Sequence, residues 1–160
     1  MTPIDLLLAT DGSEPSLAAA RLVRDLLSPA ALARVTLLAV VAPIDTLPFY
    51  GGFAAYGGGV VSQEAWDEMA TSAERAAQEA LQRTVAELHT TVPVDSVIRR
   101  GSPAAEIVRY ANEIGAGLIV MGSRGWGEMH AMLLGSASER VLHTASCPVL
   151  IVRSTETRAT

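Results

Sequence analysis

A chain of 160 residues, 49% hydrophobic and only 18% charged, carries enough apolar material for one packed domain and too little charge for a disordered one. Its formal charge of −5 argues against binding nucleic acid through a basic face, and its single cysteine, Cys147, rules out an internal disulfide. No apolar run approaches the ~18 residues that cross a bilayer, and no basic region precedes an apolar one near Met1, so the expected location is cytoplasmic with no membrane partner.

Ile4 to Ala9 is an aliphatic run broken only by Asp5, the pattern of a buried parallel strand. Thr10-Asp11-Gly12-Ser13 is turn chemistry, with Ser13 placed to cap a helix whose first turn holds Glu14 and Pro15. That helix carries Leu17, Ala20, Val23 and Leu27 and stops at Ser28-Pro29. A second aliphatic strand, Val35 to Val41, ends at Pro43. An irregular stretch over 43–61 follows, with five glycines, two prolines and the aromatic residues Phe49, Tyr50, Phe53 and Tyr56. Loops beyond ~12–15 residues are uncommon in compact domains and tend to be functional. These rings read first as packing against their own domain or a second subunit, and otherwise as a lid over a ligand or an anchor for a partner.

A long helix is expected from Ser62 to Leu88, with Trp66, Met69, Ala73, Ala76, Ala77, Ala80, Leu81, Val85 and Leu88 on its apolar side and Trp66 in the core. Val92 to Arg100 alternates as a strand with one wetter face. Gly101-Ser102-Pro103 then opens a helix that closes on Gly115, a residue suited to a left-handed cap. Leu118 to Met121 is a short buried strand, Ser136 to Thr144 a last helix and Pro148 to Val152 a last strand, with Cys147 read as a small buried hydrophobe. Strands alternating with helices imply a single α/β domain over 1–160, built on a parallel sheet with right-handed crossovers and helices on both faces; 154–160 reads as a tail.

The chemistry concentrates after the fourth strand. Met121 is followed by Gly122-Ser123-Arg124-Gly125, and ten residues later Gly135-Ser136 opens a helix. Glycines let a ligand approach the backbone, and a helix N-terminus offers N–H groups and a favourable dipole to anions. The spacing G-x2-G-x9-G-S is neither the dinucleotide fingerprint nor the P-loop, which ends in G-K-[ST]. By spacing alone, a phosphate loop and a plain turn with Ser136 as an ordinary cap both stand.

G-x2-G-x9-G-[ST] after a strand resembles the ATP-binding motif of the universal stress protein family. So do Ile4-Asp5-Leu6-Leu7-Leu8-Ala9-Thr10-Asp11-Gly12-Ser13 at the start, and Leu134-Gly135-Ser136-Ala137-Ser138-Glu139-Arg140-Val141 and Cys147-Pro148-Val149-Leu150-Ile151-Val152-Arg153 near the end. The resemblance runs from Ile4 to Arg153, with no counterpart for 43–61. It implies a Rossmann-like open sheet of five parallel strands in the order 3-2-1-4-5, with the strand order reversing between the first and fourth strands. Ligands of such sheets bind beyond the carboxyl ends of the strands at that reversal.

The resemblance further implies a bound adenine nucleotide, as ATP or as AMP, ADP or cyclic AMP, with or without Mg2+. Ala9, Thr10 and Asp11 would face it from the first strand, with Asp11 accepting ribose hydroxyls or helping to hold the metal through water; as a turn former Asp11 would simply cap. Val40 would meet the adenine edge. Met121, Arg124 and Ala137 would belong to the binding site, Gly122 and Gly125 would offer it backbone N–H groups, and Gly135, Ser136 and Ser138 would reach the terminal phosphates. Arg124 would add charge there or stay solvated as a loop arginine. The spacer departs from relatives that carry Arg or Lys in it: it holds Glu128 and His130 and is a poor neutraliser of triphosphate.

Three functions follow: a stress-response sensor or regulator that binds nucleotide, a slow ATPase or self-phosphorylating protein with Ser136 or Ser138 as acceptor, and a nucleotide-free module recruiting partners through 43–61. The final strand, 148–152, would lie at a sheet edge, and the resemblance implies a homodimer paired along it. No catalytic triad, carboxylate dyad or metal-ligand spacing stands out.

Overall fold

The computed structural model describes residues 2–43, 62–124 and 134–154. Its elements run β1 (Ile4–Ala9), α1 (Glu14–Leu26), β2 (Leu32–Val41), α2 (Gln63–Leu88), β3 (Val94–Arg100), α3 (Pro103–Ile114), β4 (Leu118–Gly122), α4 (Ser136–Thr144) and β5 (Val149–Val152), with a short 3-10 turn at Pro29–Ala31. The five strands form one parallel sheet in the order β3-β2-β1-β4-β5. The expected topology and the reversal between β1 and β4 are therefore present.

Alternation along the strands sorts the core into two layers. Leu6 and Leu8 of β1, Val35 and Leu37 of β2 and Val120 of β4 face α1 and α2, meeting Ala19, Ala20, Val23, Ala77, Leu81 and Leu88. Leu7, Ala9, Leu38, Ile119 and Met121 point the other way, toward Ala104, Ile107 and Ala111 of α3 and Val141 of α4. Leu6 to Ala9 are all buried, which explains why β1 reads as an aliphatic run from Leu6 onward.

Several expectations need correction. β2 starts at Leu32, not Val35: Leu32 is buried and pairs with Ile4, while Arg34 reaches across to Asp95 at 2.9 Å, so an edge polar pair hides the strand's beginning. β3 starts at Val94 instead of Val92, because Pro93 has no N–H for the ladder; its carbonyl accepts from the Val35 N–H at 3.0 Å. Trp66 is half-buried and not core, and Ala76 and Val85 are exposed. A helix of 26 residues spans about 39 Å, longer than the strands beneath it, so its buried stripe is confined to Ala77, Ala80, Leu81, Thr84 and Leu88. Cys147 likewise is only partly buried, packed against the α3/α4 layer. The stretch 44–61, Gly125 to Leu133 and the tail from 155 lie outside the described residues.

Because Leu8 is fully buried in the central strand, Leu8→Ala is expected to cost about 2–5 kcal/mol. Val85→Ala, at a position 45% exposed, should change stability by less than ~0.5 kcal/mol. Urea denaturation of the two variants checks the contrast.

Candidate functional site

β1 and β4 are neighbours in register, Ala9 opposite Met121, so their carboxyl ends deliver Thr10-Asp11 and Gly122-Ser123-Arg124 side by side. The Thr10 N–H extends the ladder to the Leu38 carbonyl at 2.9 Å, and the chain then turns. Gly12 takes φ +75°, and a Cβ there would lie 3.0 Å from that of Ala80 on α2. Asp11 Oδ1 accepts the Ser13 N–H at 3.0 Å and also the Ser13 hydroxyl. Ser13 holds the N-cap position of α1, yet its hydroxyl is spent on Asp11 and not on the helix. Asp11 thus shapes its own turn, as a turn former would, while standing on the wall of a hollow.

Beneath this turn lies a buried hydroxyl cluster. Thr10 Oγ1 is 2.7 Å from Thr84 Oγ1 and 3.1 Å from Ser16 Oγ, and it accepts the Gly12 N–H at 3.2 Å. Ser16 donates to the Ser13 carbonyl and Thr84 to the Ala80 carbonyl, which leaves the Thr10 proton to its two hydroxyl neighbours. Every hydroxyl has a partner, as burial requires.

Gly122 is a glycine because of packing. A Cβ on it would fall 2.7 Å from the Pro15 carbonyl carbon and 2.8 Å from the Ser16 nitrogen, so the first turn of α1 rests directly on the end of β4. Ser123 then closes the base of the glycine loop. Its N–H donates to the Val152 carbonyl at 2.7 Å, and its own carbonyl accepts both the Gly135 N–H at 2.7 Å and the Ser138 hydroxyl at 2.9 Å. The Ser138 hydroxyl also lies 2.9 Å from the Gly135 carbonyl, and the residue is 2% exposed. The two ends of the loop are tied together, with Gly135 at the N-cap of α4. The first intrahelical bond there is made by the Glu139 N–H, so the amides of Ser136, Ala137 and Ser138 precede it.

These elements enclose a hollow of ≈ 290 Å³. Leu38, Val40, Ile107, Met121 and Pro103 give it apolar walls; Thr10, Asp11, Ser16 and Arg124 supply polar groups; Ala9, Gly122, Ala137 and Ser138 complete it. Ser13 Oγ lies 3.5 Å from the Arg124 carbonyl, a long contact across the mouth. A second hollow of ≈ 630 Å³ adjoins it through Pro103 and Ala137 and includes Ser102, Ser136, Arg140 and His143. Ionisation is visibly perturbed at the other end of α1, where the Arg24 guanidinium hydrogen-bonds Asp25 and lowers its carboxyl pKa.

Of the residues nominated from sequence, Ala9, Thr10, Asp11, Val40, Met121, Gly122, Arg124, Ala137 and Ser138 come together around the first hollow. Gly135 and Ser136 do not line it: the Gly135 N–H is engaged by Ser123, and Ser136 faces the adjoining hollow. Gly125 lies outside the described residues, as do Glu128 and His130. Leu38, Ser16, Pro103 and Ile107 line the hollow without having been nominated for the site, and Thr84 touches Thr10 beneath it. Leu38 had a signal, since it shares a strand face with Val40 two residues on. Pro103 and Ile107 arrive only through the crossover of α3 onto that face.

The family model described as the universal stress protein family matches residues 5–153. A universal stress protein of Methanocaldococcus jannaschii is 34% identical over 150 residues, covering 92% of this chain and 81% of the relative. One of Thermus aquaticus is 35% identical over 149 residues, covering 92% and 97%. With a Bacillus subtilis universal stress protein the match is 47% over 62 residues, which is 39% of this chain and 42% of the relative's length. Among solved structures, a universal stress protein of Lactobacillus plantarum superimposes with TM-score 0.67 at 23% identity, covering 96% of this chain and 99% of that one. A universal stress protein in complex with cAMP gives 0.60 at 22%, covering 97% and 100%. An Arabidopsis thaliana family protein with AMP bound gives 0.62 at 18%, covering 96% and 94%.

The geometry makes two local roles measurable. Gly122→Ala, forcing backbone of α1 away from β4, is expected to cost about 1–3 kcal/mol. Ser138→Ala removes one tie at the loop base and should cost about 1 kcal/mol. Thermal and urea denaturation of both variants decide these values.

Proposed function

This chain belongs to the universal stress protein family, and from that premise we propose that it is an adenine-nucleotide-binding sensor or regulator in a stress response. The observation that carries the proposal is the hollow joining the ends of β1 and β4, apolar where a purine would lie and polar at its rim. Its ≈ 290 Å³ sits at the lower end of the ~300–1,000 Å³ usual for small-molecule sites. That volume suits a nucleoside, with the phosphates extending toward the amides that open α4 and the adjoining hollow. Val40 and Met121 would flank the base, Asp11 would accept ribose hydroxyls, and Arg124 would face the phosphates. That proteins of this fold have been seen with cAMP and with AMP supports the choice of ligand. Asp11 is the one carboxylate on the wall among the described residues, so Mg2+ would be held chiefly by phosphate oxygens.

The enzymatic reading is the weaker one. Ser138, one of the two proposed phosphate acceptors, is buried with its hydroxyl spent on the Ser123 and Gly135 carbonyls, and Asp11 Oδ1 is engaged by Ser13. Any turnover would be slow. We also propose that the chain pairs with a second copy along β5, which ends the sheet and would otherwise offer an open aliphatic edge.

Calorimetric titration with AMP, ADP, ATP and cyclic AMP is expected to give affinities close to one another; a hundredfold preference for ATP would refute this picture of the phosphate end. Asp11→Ala should weaken AMP binding roughly tenfold, the loss of a hydrogen bond to a charged group. Mass spectrometry of ligand released from freshly purified, denatured protein should find an adenine nucleotide, and freshly purified protein that neither carries nor binds one overturns the proposal. Sedimentation at micromolar concentration should show a dimer; a monomer rules out the β5 pairing.

A further inference from the structure

We infer that Thr84, on α2 behind the sheet, is a positioning residue that sets the Asp11 turn for the ribose through Thr10. The inference rests on the adenine-nucleotide reading of the hollow. Thr84 is 0% exposed and lies in the apolar stripe of α2 between Leu81 and Leu88, where burial alone would favour an apolar side chain. Its hydroxyl proton is satisfied within its own helix by the Ala80 carbonyl at 2.7 Å, so the helix does not need the contact with Thr10. What the hydroxyl adds is the 2.7 Å approach to Thr10 Oγ1, joining residues 74 positions apart in sequence.

From Thr10 the chain of contacts runs straight to the site. Thr10 Oγ1 accepts the Gly12 N–H and meets Ser16 Oγ, Ser16 holds the Ser13 carbonyl, and Ser13 holds the Asp11 carboxylate by its N–H and its hydroxyl. Ala80, one turn before Thr84, packs on Gly12 from the same side, so closely that an added Cβ would meet the Ala80 Cβ at 3.0 Å. The Asp11 turn is thus gripped from behind by α2 while its front lines the hollow. A methyl group cannot take the place of the Thr84 oxygen, because carbon and oxygen meet at ~3.3 Å or more. Thr84→Val would push Thr10 away and with it the Gly12 amide that fixes the turn.

The test measures the ratio of Kd for 2′,3′-dideoxyadenosine monophosphate to Kd for AMP, which reads the ribose contact and cancels changes common to both ligands. Wild type should prefer AMP by roughly tenfold, the worth of hydrogen bonds to a carboxylate. Thr84→Val should bring the ratio near one, Thr84→Ser should restore it, and Leu88→Val, which loosens the same helix without touching the hydroxyls, should keep it while lowering Tm. Should the valine variant not fold, Thr84→Ala deletes the hydroxyl without crowding Thr10 and should lose most of the preference. A hydroxyl-free variant that retains the wild-type ratio overturns the inference and leaves the nucleotide reading intact. So does a serine variant that loses the ratio, or a wild type that binds AMP with no ribose preference. A wild type that binds no AMP brings down both.

Discussion

The placement of β1 between β2 and β4 is the constraint on which everything else rests. β1 is hydrogen-bonded to parallel strands on both sides, and Leu6 to Ala9 are buried against helices on both faces. Parallel neighbours require crossovers, and right-handed crossovers running in opposite directions from β1 put α1 and α2 on one face and α3 and α4 on the other. Where those directions diverge, none of the described elements covers the strand ends. The hollow at Ala9 and Met121 is the direct result.

Around that opening the backbone is held by contacts that serve packing first. Gly122 lets the start of α1 lie on β4, and Gly12 lets Ala80 of α2 lie on the turn after β1. Ser123 and Ser138 close the loop base with hydrogen bonds that engage the Ser138 hydroxyl proton. The glycine and serine positions of the motif are therefore divided. Some of them build the frame, and Ala137 and Ser138 at the start of α4 line the space the frame creates. A polar cluster of Thr10, Ser16 and Thr84 carries the turn across the sheet plane, and it is tolerable in the interior because each hydroxyl is partnered.

The long helix α2 shows how far hydrophobic period can be pushed as evidence. Its pattern named the side of the helix that faces the sheet, and Ala77, Ala80, Leu81 and Leu88 lie there. Period says nothing about how much of a helix the sheet is long enough to cover, which is why Trp66 and Met69 are only half-buried and Val85 is exposed. Thr84 sits in the buried stripe but is polar, so a reading by hydrophobicity passes over it.

Sequence by itself determined the alternation of strands and helices, the breaks at glycine and proline, and the two short segments, Thr10-Asp11 and Gly122-Ser123-Arg124, that meet at the hollow. Local chemistry suffices for the elements and their breaks, because aliphatic runs, caps and turn residues act over a few positions, whereas the meeting of the two segments followed from the strand order that the family resemblance implies. Tertiary structure alone decided that α3 supplies Pro103 and Ile107 to the wall, that the Gly135 amide and the Ser138 hydroxyl are consumed at the loop base, and that Thr84 touches Thr10. Those contacts join residues far apart along the chain, and a pairing at 2.7 Å across 74 positions depends on how the helices pack, which no local pattern records.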